Sequence, residues 1–277
     1  MTARAETVPA VGGLLRTYRA LLLAQLQAAM QYRLQMFLYV FFSFMRPIIF
    51  LAAWSAVAAA QGGTVAGYDQ GAFAAYFVAA MLVTHFTFAW NAYDFEYQVR
   101  QGQLSSKLLR PLHPVHHSVA ENIVWKAFTA VAVLGVSVFI AITFGARFET
   151  QPWHLALGIP SVLLGAVLYF TLDITLASIA FWTTRVHAAV TLYQRAAFIF
   201  AGQIAPLALL PGPLQAVAYV LPFGYTLGVP ADILRGGPTF EEAIRMVAGQ
   251  VVWVVLALAI FRAVWRAGLR AYTAVGA

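Results

Sequence analysis

The stretch LQMFLYVFFSFMRPIIFLAAWSAVAAA, residues 34–60, decides the fold class. It carries one formal charge, Arg46, in a run longer than the ~20 residues that cross ~30 Å of hydrocarbon. An arginine at mid-bilayer costs ~2.5–3.5 kcal/mol on insertion scales. Its neighbours Phe37, Leu38, Phe41, Phe42, Phe44, Ile48, Ile49, Phe50 and Leu51 offset this at roughly 0.3–0.6 kcal/mol each. The stretch therefore reads as a transmembrane helix.

The rest of the chain agrees. Of its 277 residues, 62% are hydrophobic and 10% charged, against about 45–50% and 25% in soluble domains. A soluble globular domain is excluded on that balance. Five further stretches reach spanning length: Ala72–Tyr93, Ile123–Gly145, Leu155–Trp182, Ala188–Leu210 and Met246–Val264. The expectation is an all-α membrane protein with six transmembrane helices. The first 30 residues contain arginines and glutamines and no clean apolar core with a cleavage site, so no signal peptide is expected.

Charge placement orients the spans. Arg4, Arg16, Arg19 and Arg33 precede the first. Arg100, Lys107, Arg110 and Lys126 follow the second, Arg185 follows the fourth, and Arg262, Arg266 and Arg270 close the chain. With six spans these share one side. The other side holds Arg147, Arg235 and Arg245 with Asp69, Glu149, Asp232, Glu241 and Glu242. By the positive-inside rule the richer side is cytoplasmic, both termini included. The expected location is the cell (cytoplasmic/inner) membrane, multi-pass.

Two segments depart from simple spans. Residues 12–31 place Leu14, Leu15, Tyr18, Leu22, Leu26 and Met30 at helical spacing, with Arg16, Arg19, Gln25 and Gln27 between them. That predicts an amphipathic helix on the membrane surface. Residues 206–240 hold six of the chain's 12 prolines. Pro213 to Leu221 and Phe223 to Leu234 are each apolar but too short to span. Broken backbone at membrane depth persists where it is buried in protein or faces water. Two short helices dipping in from the outer side are expected, with Pro213, Pro222 and Phe223 marking them. The division is thus 1–33 as tail and surface helix, 34–264 as the transmembrane domain, and 265–277 as a cytoplasmic tail.

Four ionisable residues lie within predicted spans: Arg46, His85, Asp173 and Arg195. They are candidates for a polar substrate path. The structural alternative pairs Asp173 with Arg195 or Arg46, and makes His85 a hydrogen-bonded interior histidine.

Several chemistries are missing. There is no cysteine, hence no disulfide and no thiolate ligand or nucleophile. No phosphate-cradling G-x-x-x-x-G-K-[ST], no G-x-S-x-G and no H-E-x-x-H occurs. The chain is therefore not expected to be an enzyme by itself. His113, His116, His117 and Glu121 are interrupted by Pro114 and read as a solvated loop, not a metal site. The basic residues are few and follow topology, so no nucleic-acid surface is expected.

The loop RQGQLSSKLLRPLHPVHH, residues 100–117, carries the sharpest motif. Leu104, Leu108 and Leu112 recur at fours, with Leu109 adjoining. They form one apolar stripe on a short helix. Ser105 and Ser106 can begin that helix. Pro111 ends it near Arg110, and Pro114 suits the first turn of the next span. An exposed apolar stripe calls for a partner.

Tyr32-Arg33, then Val99-Arg100-Gln101-Gly102-Gln103-Leu104 with Lys107-Leu108-Leu109-Arg110-Pro111-Leu112, resembles ATP-binding-cassette exporter permeases of the second type. The closest pattern is the branch with an R-x-G-x-L…LLRPL element. The segment Pro213-Leu214-Gln215-Ala216 … Leu221-Pro222-Phe223 is similar to that family's re-entrant outer helices. The tail Trp265-Arg266 … Leu269-Arg270-Ala271-Tyr272 is similar as well. Arg46-Pro47 has no counterpart in the pattern. The resemblance implies a permease that pairs with a second copy or paralogue in the lipid bilayer. Two cytoplasmic ABC ATPase subunits would hold ATP and Mg, and this chain would bind no cofactor. It further implies a coupling helix within 100–114 made by Arg100, Gly102, Leu104, Lys107, Leu108, Leu109, Arg110 and Pro111. The implied activity is export of an amphipathic small molecule, lipid or glycan. A competing reading is an ion-coupled secondary transporter with Asp173 as the coupling carboxylate. It would call for matched broken helices in two repeats, and one Pro-broken region is seen.

Overall fold

The computed structural model describes residues 11–183 and 186–272, and their regular elements are all helical. Arg4, Arg185 and the tail beyond Tyr272, each used in the sequence reading, lie outside the described residues.

α1 (Val11–Gln31) meets α2 (Arg33–Ala60) at a bend on Tyr32. α3 (Gln70–Thr87) and α4 (Asn91–Arg100) follow, then the short α5 (Gln103–Leu108) and the long α6 (Val115–Thr143). α7 (Pro152–Ala177) ends in a 3₁₀ turn, Ser178–Phe181. α8 (His187–Phe200), α9 (Gly212–Val220), α10 (Phe223–Thr226) and α11 (Gly228–Arg235) lead to α12 (Phe240–Ala271).

Among the described residues, five helical stretches are long and apolar enough to cross a membrane: Leu34–Ala60, Gln70–Arg100, Val115–Thr143, Pro152–Phe181 and Phe240–Ala271. Where the sequence reading placed a fifth span over Ala188–Leu210, the helix stops at Phe200. Fourteen residues rise about 21 Å, short of the hydrocarbon thickness. The chain then turns through Gly202 in the left-handed region, at φ 87°. The expected pair of short outer helices is three, α9 to α11.

α3 is the central helix. Phe73, Tyr76 and Phe77 are fully buried, as are Ala74, Ala75 and Ala79. These alanines let α2, α6, α7 and α11 approach it closely. α2, by contrast, exposes Phe37, Phe41, Phe42 and Ile49. Their exposure suits a face covered by lipid or protein rather than water.

Contacts sort the connections to two ends. At one, Arg147 is paired with Asp69, and the Glu149 amide donates to the Arg235 carbonyl at 3.0 Å. Arg235 Nε lies 2.8 Å from Asp232 Oδ1, so Arg147 and Arg235 at this end are both neutralised, while Arg245 forms no ion pair among the described residues. At the other end, Phe95, Phe181 and Trp265 pack ring against ring at 5.3–5.6 Å. Ser105 Oγ meets Tyr272 Oη at 2.9 Å, and Tyr18 bonds His116. This end gathers α1, α5 and the last turns of α12, with Arg16, Arg19, Arg100, Lys107, Arg110, Arg262, Arg266 and Arg270.

Candidate functional site

Three sets of predicted residues can be placed. The first is the basic loop. Gly102 caps α5 in the left-handed conformation, φ 68°, which only glycine adopts without cost. This turn points Leu104 inward, where it is fully buried among Phe95, Ile174, Phe181 and Trp265. Leu108 joins the same cluster from its edge. The leucine stripe expected to meet a partner thus faces the chain's own core, a correction to the sequence reading. The reason is the turn at Gly102, which folds α5 back onto α4. What projects is the tip: Leu109 is 88% exposed, with Arg110 and Pro111 also exposed.

The base of this tip is braced. Lys107 Nζ donates to Gln98 Oε1 at 2.8 Å, and burial lowers the Lys107 pKa. Arg100 reaches Glu96 at 3.8 Å, and the Val186 amide donates to Glu96 at 3.3 Å. Pro114 directly precedes α6 as its N-cap. His113 packs on Trp265 at 4.7 Å, and its pKa is lowered by burial and by His116.

The second set is the intramembrane charges. Asp173 on α7 is 5% exposed. Neither arginine reaches it, contrary to the pairing considered from sequence. It accepts instead from the Asn91 backbone amide at 2.7 Å and from Asn91 Nδ2 at 3.0 Å. Asn91 is the first residue of α4, where the predicted second span breaks over Phe88–Trp90. Asp173 therefore caps a helix N-terminus from another helix, and the amide dipoles compensate its charge. Asn122 on α6 extends the network, donating to Asn91 Oδ1 at 3.1 Å and to the Ser118 carbonyl at 3.0 Å. His85 is buried and pairs through Nε2 with the Lys126 carbonyl at 3.1 Å.

Arg46 and Arg195 lie on the exposed surface. Arg46 donates to Gln203 Oε1 at 3.1 Å and sits 5.5 Å from the Phe198 ring centroid. Arg195 forms no ion pair among the described residues. Arg46, His85, Asp173 and Arg195 are thus not brought together.

The third set is the broken segment after α8. Trp54 Nε1 donates to the Ile204 carbonyl at 2.8 Å and Tyr76 Oη to the Gly202 carbonyl at 2.7 Å. Two carbonyls freed by the unwound turn are so satisfied, as a low-dielectric setting requires. Pro213 lies in the first turn of α9, and Pro222 immediately precedes Phe223, the first residue of α10. Gln250 on α12, fully buried, holds this region. It donates to the carbonyls of Ser161 and Tyr225, each at 2.8 Å, and accepts from Ser161 Oγ at 2.9 Å. Sequence reasoning missed Gln250, although a lone glutamine in an apolar span was a signal.

Comparison with known families gives one match. The model of the ABC-2 family transporter protein covers residues 32–276. No curated protein matches the chain.

Proposed function

The chain belongs to the ABC-2 transporter family, and from that premise we propose that it is the permease subunit of an ATP-driven exporter. As a family member it is a multi-pass membrane subunit and not itself the ATPase. In the proposed complex two copies, or this chain and a paralogue, pair in the bilayer, and two cytoplasmic ATPase subunits supply ATP hydrolysis. The substrate class is an amphipathic small molecule, lipid or glycan moved outward.

The single observation that carries the reading is the exposed tip Leu109-Arg110-Pro111 on a braced base. A lever needs a rigid arm and a free end. Leu104 in the core provides the first, and Leu109 provides the second. The excess of arginine and lysine at the end that holds α5 supports a cytoplasmic position for it by the positive-inside rule. On that orientation α8 to α11 carry the chain back outward as a fifth crossing with re-entrant helices, α1 lies on the inner surface, and both termini are cytoplasmic. Exposed Arg46 and Arg195 then belong to a water-filled path between permeases, since lipid exposure of either is costly.

Affinity purification of the chain from its native membrane tests this. An ATP-binding subunit should co-purify with wild type and be lost with Arg110→Glu. Retention of the same subunit by Arg110→Glu, or no ATPase with wild type, contradicts the proposal.

A further inference from the structure

A cavity of about 410 Å³ opens at the elbow where α1 bends into α2. Tyr32 and Tyr39 line it from that elbow, Phe88 and Trp90 from the break before α4, and Glu121 and Trp125 from α6. Glu121 is the only charged side chain in this lining among the described residues. It forms no ion pair among them. The Trp90 side chain donates a hydrogen bond to it, and Lys107, which attracts it from α5, is itself bonded to Gln98. The aromatic wall is continuous: Trp125 packs edge-on against both Tyr39 and Trp90 with centroids 5.3 Å apart.

Glu121 lies six residues into α6, about 9 Å along the helix from its start, and two residues before the apolar run Ile123–Gly145. A half-buried carboxylate without a cation is costly there. Aromatic faces beside it attract cations further, and quaternary ammonium groups most typically. A phosphate would meet the repulsion of Glu121 with no cationic side chain in the lining to offset it.

We infer that this cavity is a binding site for the ammonium head group of an amphiphile, held by Glu121 among Tyr32, Tyr39, Trp90 and Trp125, and reached from the inner leaflet. The site lies within one protomer and needs no ATPase; only its access from the inner leaflet rests on the proposed orientation, and the binding test does not depend on it.

The test uses the full chain in dodecyl maltoside, whose head group is uncharged, and follows tryptophan fluorescence. Hexyltrimethylammonium should bind saturably, and hexyl sulfate should not. Glu121→Gln should weaken the cation about tenfold, and Trp90→Leu should also weaken it. Equal binding of cation and anion by wild type overturns the inference, as does unchanged affinity in a folded Glu121→Gln variant. The wild-type comparison of charge sign holds even if a variant fails to fold. Choline against 3,3-dimethylbutan-1-ol, its neutral isostere, provides the same discrimination without a tail. Competition by phosphatidylcholine identifies a lipid as the source of the head group, and its absence identifies a separate amphiphile; both outcomes support cation recognition.

Discussion

Replacing Asp173 separates two uses of an intramembrane carboxylate. Asp173 accepts from the Asn91 amide at 2.7 Å and from Asn91 Nδ2 at 3.0 Å, at 5% exposure. Asp173→Ala leaves both donors buried without an acceptor, at about 1–3 kcal/mol each. The expected loss is thus about 2–6 kcal/mol, or on the order of 10 °C in apparent melting temperature. Asp173→Asn keeps one acceptor oxygen and should cost about 1 kcal/mol. Thermal unfolding in detergent, read by size-exclusion chromatography, measures both. Transport by proteoliposomes containing the complex is measured alongside. The capping account expects Asp173→Asn to transport and Asp173→Ala to be unstable. Unchanged stability of Asp173→Ala refutes it. A stable but transport-dead Asp173→Asn would instead favour the coupling carboxylate of a secondary transporter.

Leu104→Ala should lower stability by about 2–4 kcal/mol in the same assay, because it opens a cavity in a fully buried cluster. Gly202→Ala should cost about 1–3 kcal/mol: φ is 87°, and a Cβ there would lie 2.5 Å from Tyr76 Oη. Gln250→Leu leaves the Ser161 and Tyr225 carbonyls without their donor and should cost about 1–3 kcal/mol. Protease accessibility of residues 211–235 should rise with it.

The apolar runs made most of the fold legible. Hydropathy located α2, α6, α7 and α12, and helical spacing located α1, because each depends on local composition. What it could not show was continuity. Residues 201–210 are as apolar as a span, yet the helix ends at Phe200. Gly202 and Pro206 were the visible signals, but the bonds from Trp54 and Tyr76 that hold the turn come from far away in sequence. The break at Phe88–Trp90 was equally hidden, since its cap, Asp173, lies 82 residues from Asn91. The reading of Asp173 sought a side-chain base. Its actual partner is a backbone amide, which every residue but proline possesses and no sequence pattern marks. In the loop, the periodicity of Leu104 and Leu108 gave a shared face but not its direction, and Leu112 falls beyond the end of α5. Gly102 set that direction.

The claim that the Leu109 tip transmits an ATPase cycle is tested most directly by Leu109→Asp. Leu109 is 88% exposed, so the substitution should change stability by no more than about 0.5 kcal/mol. Purified with its ATPase partner and reconstituted, the variant should lose ATP-driven transport while melting as wild type does. Normal transport by a normally folded Leu109→Asp variant would contradict the account.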